Sequence, residues 1–328
     1  MTRRTFFVFF LLSSLSFVDR GFSQSSACQV VPVSVINVNG ENFRGLKADD
    51  FNGKGLKNPV AVKTVTFDDG PRRVLLVVDT GKKINSNYRK AEIEMLNAMV
   101  AAGRPGDSFA VIVTHGTNRG AKFGEDSAKF KEVLSQDFEA KSDSVGVLDA
   151  MMEGMEWFGA PVNGDSIVAI AFDLEGSKKT NPKSIAKALE DRRIRMFGLA
   201  MGPVSTRNVT TGGSMTSTTS QGLAWTTPGI GNIVYETGDE NFFPLAANSG
   251  GLVRGVLGQK QSINFDEPQA KAMVVQKARQ IFNTISAFYL MEVEPPARAE
   301  EWKLDVVERV HKVVPQMWVL YPHKLGPC

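Results

Sequence analysis

Cysteine, histidine and unbalanced charge are all scarce in this chain of 328 residues, and each scarcity removes a class of function. The two cysteines, Cys28 and Cys328, sit at the extremes of the mature chain, and neither supplies visible catalytic chemistry. The three histidines, His115, His311 and His323, are scattered without ligand spacing, which leaves them ordinary core or surface roles rather than metal binding. Formal net charge is +3, and Arg3, Arg4 and Arg20 against Asp19 supply +2 of it before residue 28. The near-neutral remainder lacks the dense basic surface that displaces counterions, which argues against a nucleic-acid partner. Beyond the N-terminus no run approaches 18 apolar residues, so no transmembrane span is expected in the mature chain.

The start of the chain reads as an export signal, residues 1–27. Arg3 and Arg4 precede an apolar stretch from Phe6 to Val18, and the small-residue region "SQSSA" leads to Cys28. The expected location is therefore exported, periplasmic or secreted. In an oxidising compartment the even pair at the extremes of the mature chain invites a Cys28–Cys328 disulfide. Lipidation of Cys28 at the outer membrane is the second reading, because "SSAC" faintly matches a lipobox but has Ser25 where leucine is expected. Two free thiols are the third.

Residues 28–70 alternate apolar and polar ("QVVPVSVINVNG", "PVAVKTVTF"), with Asn39-Gly40 and Asn52-Gly53 as turn signals, which predicts short half-buried strands. From Arg72 the pattern changes. Continuous apolar runs (Val74–Val78, Phe109–Val113, Ile167–Phe172, Met196–Ala200) alternate with helical stretches. "YRKAEIEMLNAMVAAG" places Ile93, Leu96 and Val100 on one face and stops at Gly103, and Asn181-Pro182 opens "PKSIAKALEDRR". In "MMEGMEWFG" at 151–159, methionines at helical spacing predict core packing. The expected fold class is α/β, a doubly wound, mostly parallel sheet. Residues 71–287 would form it, with a Ser/Thr/Gly-rich stretch at 204–231 as a mobile loop or hairpin insertion. A helix entered through Pro268 leads back to alternation, so 28–70 and 288–328 would pair into a small β domain built from both termini.

Ligands of open α/β sheets sit outside the carboxyl ends of the strands. Two strands here end in an acid, at Asp79 and Asp173. The pair suits a hard cation, acid–base work or helix capping. "DTG" at 79–81 has no second copy to form a protease dyad; "YETGDE" at 235–240 carries Glu instead of Asp. Gly81 stands where a dehalogenase-type phosphatase needs its second aspartate, and "DTGKK" has too few glycines for a phosphate-cradling loop.

Taken in order, "VSVINVNGENFRGLKADDF", "RRVLLVVDTGKKI", "SVGVLDAM", "SIVAIAFDLEGS", "ENFFPLAANSGG" and "AFYLMEVEPP...WKLDVVERV" resemble the von Willebrand factor A domain in its secreted bacterial form, over nearly the whole mature chain. Where that family's adhesion site is intact it holds Mg²⁺ through Asp-x-Ser-x-Ser, a threonine and a further aspartate, leaving one position for an acidic partner group. The resemblance implies Asp79 for the first aspartate and Asp173 for the last, as weak metal candidates. Gly81 and Lys83 replace the serines, and Val145 falls at the threonine with Ser144 one residue away. It thus implies a degenerate site with Mg²⁺ disfavoured and no cofactor. Two readings of the lysines stay open: the Lys83 ammonium neutralises the two carboxylates, or Lys82 and Lys83 both point to solvent and the pocket is empty. The expected function is a non-enzymatic protein-binding, adhesion or assembly module with an unidentified protein or extracellular ligand as partner. A metal-dependent adhesion module and a hydrolase using Asp79 and Asp173 are the alternatives.

Overall fold

The computed structural model describes residues 30–56, 58–81, 84–116, 119–135, 145–201, 204–209, 224–227, 230–237, 242–256, 264–313 and 317–326. Cys28, Cys328, Lys82, Lys83 and Ser144 lie outside the described residues, as do the export-signal, disulfide and lipid expectations. In chain order the first elements are β1 (Val30–Ile36), β2 (Phe51–Gly55), β3 (Pro59–Val60), β4 (Val62–Asp68), β5 (Arg73–Val78), α1 (Ser86–Ala102), β6 (Ser108–Val113) and β7 (Gly120–Ala121). There follow α2 (Ser127–Ser135), α3 (Val147–Met155), β8 (Ser166–Ala171), α4 (Pro182–Arg192), β9 (Arg195–Ala200), β10 (Val204–Val209), β11 (Ala224–Thr227) and β12 (Ile230–Thr237). The chain continues through α5 (Phe242–Asn248), β13 (Val253–Gly255), α6 (Pro268–Ser286), β14 (Phe288–Val293), β15 (Glu300–Val306), α7 (Glu308–Val313), β16 (Trp318–Leu320) and β17 (Lys324–Leu325).

The central sheet runs β13-β9-β8-β5-β6-β7, parallel except for the antiparallel edge β7. Its strands are apolar along their whole length because both faces are covered. Leu76 and Val78 pack with α1 and α6 residues such as Met95, Leu96, Val274 and Ile281. Leu75 and Val77 pack with Met151 and Met155 of α3, Ile185 and Leu189 of α4, and Phe242 of α5. Each such side chain contributes about 1.5–3 kcal/mol by leaving water. This is the doubly wound α/β sheet that the alternating pattern predicts.

Local signals explain the helix ends. The Asn85 side chain accepts the backbone N–H groups of Asn87 and Tyr88 at the start of α1. Asn181 caps α4 reciprocally with Ser184, with Pro182 in the first turn. The buried face of α1 is rotated from the expected one. Ala91, Met95, Leu96 and Met99 are buried, while Val100 is 39% exposed. Contact with α6 as well as with the sheet broadens and turns the covered stripe.

Strands from the two ends of the chain pair with one another. β1 lies between β14 and β16, β14 also pairs with β4, and β15 pairs with β2 and β17. Asn39-Gly40 forms a turn, with Gly40 at φ +78°. Asn52-Gly53 does not; both residues sit inside β2, where a Cβ on Gly53 would come within 2.5 Å of the Val60 carbonyl oxygen. The glycine there permits close strand approach rather than chain reversal. Likewise "VERV" leaves the expected strand pattern, and its last three residues open α7. In the 204–231 stretch, β10 and β11 each pair antiparallel with β12, which runs on to Thr237, so the described part is a hairpin-like sheet.

Candidate functional site

Strand order reverses between β5 and β8, and a crevice at such a switch point opens at the carboxyl ends of the strands. Asp79 follows β5 directly, and its N–H donates to the Ile170 carbonyl of β8 at 2.9 Å. Its side chain turns inward, so that the residue is 8% exposed. Asp79 Oδ1 accepts the Gly81 N–H at 2.9 Å and faces Thr114 Oγ1 at 3.4 Å. Burial pushes the Asp79 carboxyl above the ordinary aspartate range. The Gly81 and Phe172 backbone N–H groups oppose that, and Asp173 adds to it.

Thr114, one residue past β6, holds the loops together. Its Oγ1 accepts the Thr80 N–H at 2.8 Å and lies 3.0 Å from His115 Nδ1. Its carbonyl accepts the Val145 N–H at 3.0 Å. Thr80 Oγ1 in turn accepts the His115 N–H at 2.9 Å. Three loops are thereby cross-linked by one buried hydroxyl and its own backbone. The third sequence-matched segment is fixed through α3. The Leu148 N–H donates to the Glu175 carbonyl at 2.8 Å, and Asp149 accepts the Ser177 N–H and hydroxyl at 2.9 and 2.8 Å.

Of the expected site residues, Asp79 and Gly81 share one turn, Val145 joins them through Thr114, and Asp173 lies close enough for its charge to act on Asp79. Thr114 and His115 were not singled out for this site by sequence reasoning. The signal was present in "FAVIVTH", a third apolar run ending in a polar residue, as the runs before Asp79 and Asp173 do. His115 is half-buried over the turn, where a Cβ on Gly81 would lie 3.5 Å from its Cε1. His311 instead faces Asp305 at 3.0 Å, and the His323 ring lies tilted against Tyr321 with centroids 5.0 Å apart.

These residues do not fit a Mg²⁺ site. Asp79 is buried and already hydrogen-bonded, Gly81 has no side chain and Val145 supplies no oxygen from its side chain. Among the described residues no group of three His, Cys, Asp or Glu is placed to hold a metal.

A second carboxylate lies beneath the site. Glu92 of α1 is fully buried, and its Oε2 accepts Arg89 Nη1 at 2.8 Å, while Oε1 has no hydrogen-bond partner among the described residues. Arg89 Nη2 also donates to the Leu134 carbonyl near the end of α2. Burial pushes the Glu92 carboxyl up to about 8 from 4.5, against the opposing pull of Arg89, and the Asp79 charge adds to the rise. The folded state therefore binds this proton more tightly than the unfolded chain. Stability present at low pH is lost as pH rises from about 4.5 through about 8. Urea unfolding across that window should show the decline, and Glu92→Gln should flatten it; an unchanged slope in the variant would assign the effect elsewhere.

No family model matches the sequence, and no curated protein matches it. Among solved structures, a von Willebrand factor type A protein from Catenulispora acidiphila is similar at 10% identity and a TM-score of 0.41, over 92% of this chain and 74% of that one. BatB from Bacteroides thetaiotaomicron is similar at 16% identity and a TM-score of 0.39, over 64% and 98%. An aerotolerance-related membrane protein from Bacteroides fragilis gives 15%, 0.39, 64% and 98%. Likenesses this loose carry no conclusion about activity, and the fold rests on the strand order above.

Proposed function

We propose that the chain is an exported, non-enzymatic binding or assembly module, related to von Willebrand factor A domains, that works through the carboxyl edge of its parallel sheet without a bound metal. The observation that carries this reading is the inward-turned Asp79, held by Gly81 and Thr114, with Gly81 and Val145 standing where the resemblance asks for hydroxyl ligands. A hydrolase centred on the two acids is disfavoured, because a nucleophile or general base needs reach to substrate and Asp79 is buried and engaged. Among the described residues no helix is long and apolar enough to cross a membrane.

Calorimetric titration with Mg²⁺ and Mn²⁺ tests the metal-free reading. No heat of binding is expected at micromolar concentration. Micromolar binding that disappears in Asp173→Ala would instead establish a metal-dependent adhesion module.

A further inference from the structure

The basic side chains along α4 fall into two groups. Lys187 pairs with Asp191 at 2.7 Å, Arg192 with Glu156 at 2.5 Å, and Glu190 takes Lys324 of β17 at 2.9 Å. At the strand-end pole the pattern stops. Lys178 and Lys179 in the β8–α4 loop and Lys183 in the first turn of α4 are all exposed, and none has an acidic partner within salt-bridge distance among the described residues. The loop that carries them is not loosely placed. Ser177 is bonded to Asp149, and the Thr180 N–H donates to the Ser177 carbonyl. The amino end of α4 adds its own partial positive charge to the same spot.

Resting on the reading of this edge as a binding face, we infer that Lys178, Lys179 and Lys183 form a docking patch for an acidic segment of a protein partner. Charge complementarity selects that occupant. Asp173 and Glu175 lie just before the lysines in the same loop. A uniform polyanion spread over the face would meet those carboxylates, whereas a short protein segment can place its acids on the lysines alone. A lipid surface is also disfavoured: the exposed large apolar residues Val38, Leu56, Val100, Val162 and Val313 all lie outside 173–183, so nothing in the loop would enter a bilayer.

The test is fluorescence anisotropy of a labelled tetraglutamate peptide with the full chain, beside vesicles containing phosphatidylglycerol. The peptide binds at low ionic strength and is released by salt, and the K178E/K179E/K183E variant weakens it by about tenfold or more. All three positions are exposed, so circular dichroism and Tm of that variant stay those of the parent. Absence of peptide binding, equal binding by the triple variant, or lysine-dependent binding to vesicles alone overturns the inference. The wider reading of the edge is tested separately by Asp79→Asn and Asp173→Asn in pull-downs from native envelope. If those lose a partner that the triple lysine variant keeps, the edge reading stands and the lysine patch falls.

Discussion

Asp165→Ala should cost the fold about 3–5 kcal/mol, read as the loss of unfolding free energy in urea. Asp165 precedes β8 and is 1% exposed. Arg73, the first residue of β5, grips it with a two-pronged contact, Nε to Oδ1 at 2.8 Å and Nη2 to Oδ2 at 2.6 Å. The Val162 N–H adds a third bond to Oδ2 at 2.9 Å. Arg73 also donates to the Phe158 and Ala160 carbonyls, so truncating the aspartate leaves a pinned guanidinium without its counter-ion. Because the pair joins the starts of the two strands whose far ends form the candidate site, its loss is felt as a loosened β5–β8 pairing. The Arg73 side chain is 28% exposed, which sets the competing outcome. If water screens the pair, the loss falls below about 1 kcal/mol, as for surface ion pairs. The double replacement Arg73→Met with Asp165→Leu should recover much of the loss, since apolar side chains need no partner.

Gly146→Ala is the substitution expected to disturb the site most. Gly146 caps α3 at φ −70°, an ordinary backbone conformation, so the glycine is needed for space. A Cβ there would stand 2.4 Å from the Glu175 carbonyl oxygen, 2.7 Å from its carbon and 2.8 Å from Gly176 Cα. All three are backbone atoms and cannot swing away as a side-chain end can. The β8–α4 loop must shift, which strains the Leu148–Glu175 hydrogen bond and displaces Asp173 relative to Asp79. Overpacking of this kind costs about 1–3 kcal/mol. Amide resonances of Gly81, Thr114 and residues 173–180 should move together, reporting coupled loops. Gly326→Ala, with nothing within 4 Å of its Cβ position, is the control and should leave stability unchanged. A Gly146→Ala protein that matches this control would show the loops to be free of each other.

Part of this was legible in the residues. "RRVLLVVDTG" and "SIVAIAFD" show buried parallel strands ending in acids because a strand covered on both faces must be apolar throughout, and polarity returns only where the strand ends. Asn181-Pro182 announces a helix because its capping chemistry is local. Glu92 shows the limit: it lies in an otherwise ordinary helical sequence, yet the structure buries it completely. Nothing in its neighbours along the chain marks that, because burial depends on what packs from elsewhere. The turn misread at Asn52-Gly53 has the same origin, the approach of β3 being invisible to the dipeptide.

By itself, then, the sequence determined the α/β class and the strand-end positions of Asp79 and Asp173, since these follow from periodicity and residue chemistry within short windows. Only the tertiary structure decided that Asp79 faces inward, that Thr114 and His115 join it from the neighbouring strand, and that strands from both ends of the chain pair with one another. The reason is physical. Hydrogen bonds and strand pairing satisfy groups far apart in the chain, and which groups meet is settled by the order of strands in the sheet rather than by any local pattern.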